Sequence, residues 1–400
     1  MDLIVNWLNS YNKEINIDNY VDNFQLPIET IDDKILLNTN IIDDLELSNY
    51  KNHSSEDKED KEDKEDKEDK IPENETPGNL YYTLLNPSNI FETNIAKQWC
   101  KYYTNSKEYL LETQDLLKTF KDDNSIIINC NKNDISGCVE DHIYESCNSL
   151  FKDNAFIDKY QYIDFPILNK YNNNELCLQA VSTYNLASPV MSLLVPIIFL
   201  FLPFLIIKVQ GYPITMSSYI MHLKNVFKNH ILGKVFLEFS SSSITTKIYL
   251  LVSLIFYIFQ IYQNIINCTR FYKNIRFILD SLFLIKQYIS STINKFDNLL
   301  KYTKNYVNYN NFNKTIEYNK NILNNYLIQL NKIKNYNYSL NKLLILGKLM
   351  TCFYKLHDDE KLIGSLYYSF GFNGYINNLN NIQKLINDKN LNFCTYNKKN

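Results

Sequence analysis

The residues best equipped for chemistry lie in "CNKNDISGCVEDHIYESC", where Cys130, Cys138, His142 and Cys147 supply three thiols and an imidazole. Those types could hold Zn²⁺ tetrahedrally, since thiolate sulfur and neutral imidazole nitrogen are its preferred donors. Seven and then eight residues separate the successive cysteines, gaps that fit no compact zinc knuckle. The competing reading is free thiols in a reducing compartment, and eight cysteines scattered without a repeat agree with it.

Motifs for other chemistry are mostly absent. The sequence holds no G-x-x-x-x-G-K-[ST] phosphate loop, no H-E-x-x-H, no G-x-S-x-G and no C-x-x-C. Gly371 and Gly374 in "SFGFNGYI" have no lysine where a phosphate would need one, and are expected to form a turn before a helix over 375–386. His222 and His230 stand eight apart with no carboxylate nearby, a poor catalytic pair. Lys295, Lys301, Lys304 and Lys314 interleave with Phe296, Tyr302, Tyr306 and Phe312, a mixture that can bind nucleic acid through charge and stacking. A chain with 32 tyrosines and 41 basic residues also produces such a mixture from composition alone. No catalytic or cofactor-binding residue is assigned.

The elements that would position these groups are mainly α. Long helices and helical hairpins fill the C-terminal half, a small mixed α/β segment precedes them, and there are one or two apolar segments of membrane type. Residues 1–50 form an acidic segment with weak helical spacing at Ile28, Ile31, Ile35 and Leu36. Residues 51–78 are a charged linker built on five EDK triplets, a tract with nothing to bury and so a solvated spacer. Over 79–175, helical spacing runs through Trp99, Tyr102, Tyr103, Leu110, Leu111, Leu116, Leu117 and Phe120, and "SIIINC" (125–130) reads as a strand.

From Leu176 the character changes. An apolar region over 176–268 contains two candidate membrane segments, 187–207 and 248–266. The first, "ASPVMSLLVPIIFLFLPFLII", is uncharged over 21 residues, about the length that crosses a hydrocarbon core of roughly 30 Å. Pro189, Pro196 and Pro203 recur in it every seven residues. Each would cost a water-exposed helix about 3 kcal/mol, whereas membrane helices tolerate proline because neighbouring groups re-satisfy the freed carbonyls. The second segment admits Gln260, Gln263 and Asn264 towards its end. Two crossings, one crossing and a hairpin that dips in and returns all remain open. If both segments cross, lysines between 208 and 247 lie opposite Arg270, Lys273 and Arg276.

Residues 269–400 read as a lever-like helical domain. Ile275, Ile278, Leu279, Leu282, Phe283, Ile285, Ile289, Ile293, Phe296, Leu299 and Leu300 keep three-four spacing. A second series from Ile316 to Ile333 should return antiparallel to it, and a third runs from Leu340 to Phe353. Charge divides with this organisation. Residues 1–175 carry 17 basic and 36 acidic side chains, net −19; residues 176–400 carry 24 and 8, net +16. The basic half suits nucleic acid or anionic lipid, and the acidic half should avoid both. "MDLIVNWLNS" has neither the basic nor the apolar region of a secretory signal.

Several stretches together resemble a known family: "KYQYIDFPIL" (159–168), "YNLASPVMSLLVPIIFLFLPFLIIKVQG" (184–211), "YIFQIYQNIINCTRFYKNI" (257–275) and "LYYSFGFNGYINNLNNIQKLI" (366–386). These look like the MutS-like ATPases of giant DNA viruses, relatives of the DNA mismatch repair ATPases. The resemblance implies helical levers followed by a nucleotide-binding domain that takes ATP and Mg²⁺ through a Walker A loop. None of the family's ATP-binding residues can be placed here, since "FCTYNKKN" comes where that domain would approach. The expectation is a non-catalytic N-terminal portion of a MutS-like protein, without a cofactor of its own. It would be associated with a membrane in the host cytoplasm or virion, and either a partner chain supplies the ATPase domain or the chain is a remnant. DNA is implied as a partner by the likeness alone. The rival expectation is a viral membrane-anchored scaffold or assembly protein with no DNA role.

Overall fold

A computed structural model describes residues 23–47, 80–121, 143–145, 147, 156–163, 165, 167–209, 211, 216–229, 233–234, 243–333 and 344–396. The linker and the strand expected over 125–130 lie outside these residues. The described chain is mainly α. A 3-10 turn, Pro27–Thr30, precedes strand β1 (Lys34–Leu36) and helices α1 (Thr39–Asp44), α2 (Leu80–Leu85) and α3 (Ile90–Trp99). Strand β2 (Tyr102–Thr104) then leads to α4 (Lys107–Thr119), α5 (Phe156–Tyr160), a second 3-10 turn (Asn169–Asn173), α6 (Glu175–Val209) and α7 (Met216–Asn229). Helices α8 (Ile244–Thr303), α9 (Asn310–Asn331), α10 (Leu346–Asp358) and α11 (Glu360–Asn387) complete the order.

The chain forms two compact units that do not follow chain order. Of the described residues, one takes those within 156–282 and 333–354; the other takes those within 23–147, 283–332 and 355–396. In the second unit α11 is the core element. Sixteen of its residues are buried, on all sides of the helix, which is the pattern of a helix enclosed by neighbours. It packs on α2, α3, α4 and α9. Phe24 lies among Phe312, Tyr368 and Tyr375 at 5.2–6.0 Å between ring centres, and Phe91 stacks on Phe370 at 5.0 Å. A buried polar chain crosses this core: the Asn373 amide donates to Tyr288 Oη (2.9 Å) and Thr292 Oγ1 (3.1 Å), and Tyr288 Oη pairs with Ser369 Oγ at 3.0 Å.

Three expectations are corrected in this unit. Residues 28–36 are not α-helical: they make the 3-10 turn and β1, which pairs antiparallel with β2, Ile35 opposite Tyr103. The spacing from Trp99 to Phe120 likewise breaks at β2, so it belongs to two helices rather than one. Gly371 and Gly374 make no turn but lie inside α11. Their lack of a side chain lets other elements approach closely. A Cβ at 371 would come within 2.4 Å of the Phe24 Cβ, and one at 374 within 2.8 Å of the Phe91 carbonyl carbon. Gly374→Ala is therefore expected to lower stability by about 1–3 kcal/mol, read as a lower urea midpoint. In an open helix the same change would raise stability by roughly 0.5–1 kcal/mol, so the sign tests the close approach.

The long helical series agree with the structure. Ile275, Ile278, Leu282, Ile285, Ile289, Phe296 and Leu299 are all buried along α8. Helix α9 does return antiparallel to the end of α8, as two ties show. Asn313 Nδ2 donates to the Thr303 carbonyl at 3.1 Å, and farther along Lys320 pairs with Asp297. Leu346, Leu349, Met350 and Phe353 are buried on α10, while Leu340 and Leu343 lie outside the described residues.

In the first unit, α5 and the 156–162 region pack aromatic side chains against α10. Phe156 stacks on Phe353 at 5.6 Å, Tyr160 meets Phe353 at 4.9 Å, and Tyr354 Oη donates to the Tyr160 carbonyl at 2.8 Å. Buried Asn172 binds both the N–H and the carbonyl of Ile163, fixing the loop before α6. Asn174 then caps α6, its Oδ1 accepting from Leu176 N and Cys177 N at 3.0 and 3.2 Å.

Candidate membrane-facing surface

Helix α6 contains all of 187–207, prolines included, without a break. Pro189 cannot donate to the Asn185 carbonyl four residues back, but the hydroxyl of Ser188 donates to that oxygen at 3.0 Å. A side chain thus replaces the bond that proline removes, the device expected where no water can do so. Val190, Met191, Leu193, Leu194, Ile198, Leu202 and Leu205 are exposed along the same helix.

Helix α8 presents the broader apolar surface. Ser243 caps its start, Oγ accepting from Thr246 N at 3.4 Å. Ile248, Leu251, Val252, Ile255, Phe256, Phe259 and Tyr262 recur at three- and four-residue intervals on one wide face. Ile255 is 64 % and Phe256 67 % exposed. The opposite face, with Leu250, Leu254, Tyr257 and Ile261, is buried or half-buried. Among the described residues α8 is the one helix long and apolar enough to cross a membrane, and only 6 % of its apolar window is buried. Core helices of soluble proteins pass the same test of length and composition but are mostly buried.

Helices α6 and α8 meet at one end of their apolar stretches. The Cys268 thiol donates to the Leu186 carbonyl at 3.3 Å, placing the start of the α6 stretch beside the end of the α8 stretch. The two helices approach each other at this end.

Cys130, Cys138 and His142 lie outside the described residues. Cys147 is buried, and loss of solvation pushes its thiol up to about 12. Among the described residues no group of three His, Cys, Asp or Glu side chains could hold a metal ion. Lys301, Lys304 and Lys314 do share a cleft of about 920 Å³, together with Lys320, Asp297 and Glu317, so its charge is mixed. The aromatic residues between them are not stacking platforms. Phe296 and Phe312 are core residues, Tyr302 packs on Phe120 at 5.4 Å, and Tyr306 Oη donates to Asp115 at 2.5 Å. His230 lies outside the described residues.

Native thiol labelling checks the placement of the cysteines. Cys394 is exposed, whereas Cys100, Cys147 and Cys352 are buried. Iodoacetamide at pH 8 is expected to modify Cys394 within minutes and these three only after denaturation, with peptide mass spectrometry as the readout.

Sequence reasoning identified both apolar segments but missed the polar cleft beside them, formed by Lys159, Asn185, Asn264, Arg270, Lys273 and Asn274 among others. Its only sequence signal was the return of basic residues directly after Cys268. Comparison with protein-family models, curated proteins and solved structures finds no match to this chain.

Proposed function

We propose that the chain is a membrane-anchored helical protein without catalytic activity of its own, in which α6 and the first part of α8 cross the bilayer as an antiparallel hairpin. The observation that carries this reading is the wide uncharged face of α8, exposed over its apolar window. Contiguous apolar surface of that extent marks a lipid or partner contact. The repair of Pro189 by Ser188 and the meeting of Leu186 with Cys268 support it. At the family level, the four quoted stretches favour the pre-ATPase portion of a MutS-like protein, at a membrane of the host cytoplasm or virion. ATP and Mg²⁺ are then implied only for the family's nucleotide-binding domain, whose phosphate loop these 400 residues do not contain.

A second reading, a membrane-anchored scaffold with no DNA role, is favoured by one observation. Phe296 and Phe312, the aromatics between the lysines, are committed to the core. The two readings separate by affinity capture from detergent extracts. A co-purifying Walker A protein and salt-sensitive DNA binding point to the first, and their absence to the second.

Crossing is tested with two epitopes on the full chain, one inserted after Gly211 and one at the C-terminus. In sealed vesicles, protease should remove one epitope and spare the other. Digestion of both without detergent would rule out a spanning hairpin. Hydrolysis of ATP by the purified chain above background would rule out the non-catalytic assignment.

A further inference from the structure

The cleft beside the apolar helices has a composition and a position that name a ligand. It encloses about 750 Å³, the range of small-molecule sites, between the 159–161 segment, residues 184–188 of α6 and residues 264–274 of α8. Lys159, Arg270 and Lys273 contribute three positive charges, and no residue lining it is acidic. Asn185, Asn264 and Asn267 add amide groups. The Lys159 side chain is held above the Tyr160 ring at 5.1 Å, and Asn274 Nδ2 donates to the Lys159 carbonyl at 2.6 Å, which ties this segment to α8. Gln161 adopts a left-handed backbone, φ 57°, and its side chain accepts from Asn185 Nδ2. A guanidinium and two ammonium groups beside neutral amides match the oxygens of a phosphate.

Position selects the form in which that phosphate arrives. The uncharged stretch of α6 begins at Ala187 and that of α8 ends at Cys268, so the cleft lies at the boundary where both leave the apolar region. Val190 on α6, and Ile258 and Phe259 on α8, are exposed on the apolar side of it, where acyl chains would run, and Tyr184 and Tyr272 are exposed at its level, as interfacial tyrosines are. We infer that this cleft binds the phosphate of an anionic phospholipid headgroup, fixing the depth of the hairpin in the bilayer. The inference rests on the anchoring reading above.

The test uses the full-length chain, first reconstituted into phosphatidylcholine nanodiscs and then, in detergent, titrated with short-chain phosphatidic acid, diacylglycerol of the same chain length, and inorganic phosphate. Phosphatidic acid should bind saturably and diacylglycerol should not. The double variant Arg270→Gln, Lys273→Gln should weaken phosphatidic acid by about thirtyfold, and Arg270→Lys, Lys273→Arg should restore most of it. Lys224→Gln with Lys228→Gln on α7 removes the same charge elsewhere and should change binding less than twofold. Equal weakening by both Gln pairs, or by neither, would overturn the cleft as the site. Inorganic phosphate binding as tightly as phosphatidic acid would assign the cleft to a soluble phosphate and overturn the lipid. Failure to enter phosphatidylcholine nanodiscs would overturn anchoring itself and the inference with it. Entry without preference for phosphatidic acid would remove the cleft alone.

Discussion

The full chain carrying Ile255→Lys and Phe256→Lys is expected to leave the membrane fraction. Both positions lie near the middle of the apolar stretch of α8, and both side chains are exposed. A lysine at the centre of a spanning helix costs about 2.5–3.5 kcal/mol, so two should cost about 6 kcal/mol, roughly 10⁴ in partitioning. The prediction discriminates because a water-exposed helix would respond in the opposite sense. Two lysines on a solvated surface change stability by about 0.5 kcal/mol or less each and improve solubility. The measurement is the distribution of the chain between pellet and supernatant after ultracentrifugation, with Lys224→Gln as a surface control.

Glu92→Ala should destabilise the second unit by about 3 kcal/mol while leaving membrane recovery unchanged. Glu92 is 3 % exposed, yet its carboxylate accepts from Ser88 N (2.7 Å), Asn89 Nδ2 (2.9 Å) and Asn377 Nδ2 (2.9 Å), with the Ser88 hydroxyl at 3.0 Å. Asn89 in turn caps α3 by accepting from Glu92 N at 2.9 Å, so one carboxylate joins the start of α3 to α11. Removal takes this acceptor from the buried Asn89 amide and the half-buried Asn377 amide, whereas exposed Ser88 can turn to water, so the loss at the two amides accounts for most of the effect. Glu92→Gln keeps the shape but turns an NH₂ group towards donors, so it should recover only part of the stability. Urea titration with an unchanged slope would attribute the change to stability rather than to altered compactness.

These two results would fall on features of unequal legibility. The α8 and α9 series were readable because burial on one face imposes a three-four spacing that survives a biased composition: Ile278, Leu282, Ile285 and Ile289 are apolar for packing reasons that no coding bias supplies. The β1–β2 pair was not readable. Three-residue strands are too short to alternate visibly, and what holds them is a partner almost seventy positions away. Gly371 and Gly374 were misread for a related reason. Glycine signals a turn or a close approach equally well, and only the positions of Phe24 and Phe91 decide between them. The cleft around Arg270 and Lys273 depends on α6 and α8 meeting at Leu186 and Cys268, a contact that no local pattern encodes. In the aromatic and basic interleaving after Lys295, Phe296 and Phe312 are buried, because aromatic residues at helical spacing serve a core first.

Alkaline carbonate extraction of membranes from cells expressing the unmodified chain tests the central claim most directly. A hairpin crossing the bilayer keeps the protein in the pellet at high pH, with release only by detergent. Recovery of the intact chain in the carbonate supernatant would contradict membrane anchoring and assign the exposed face of α8 to a protein partner.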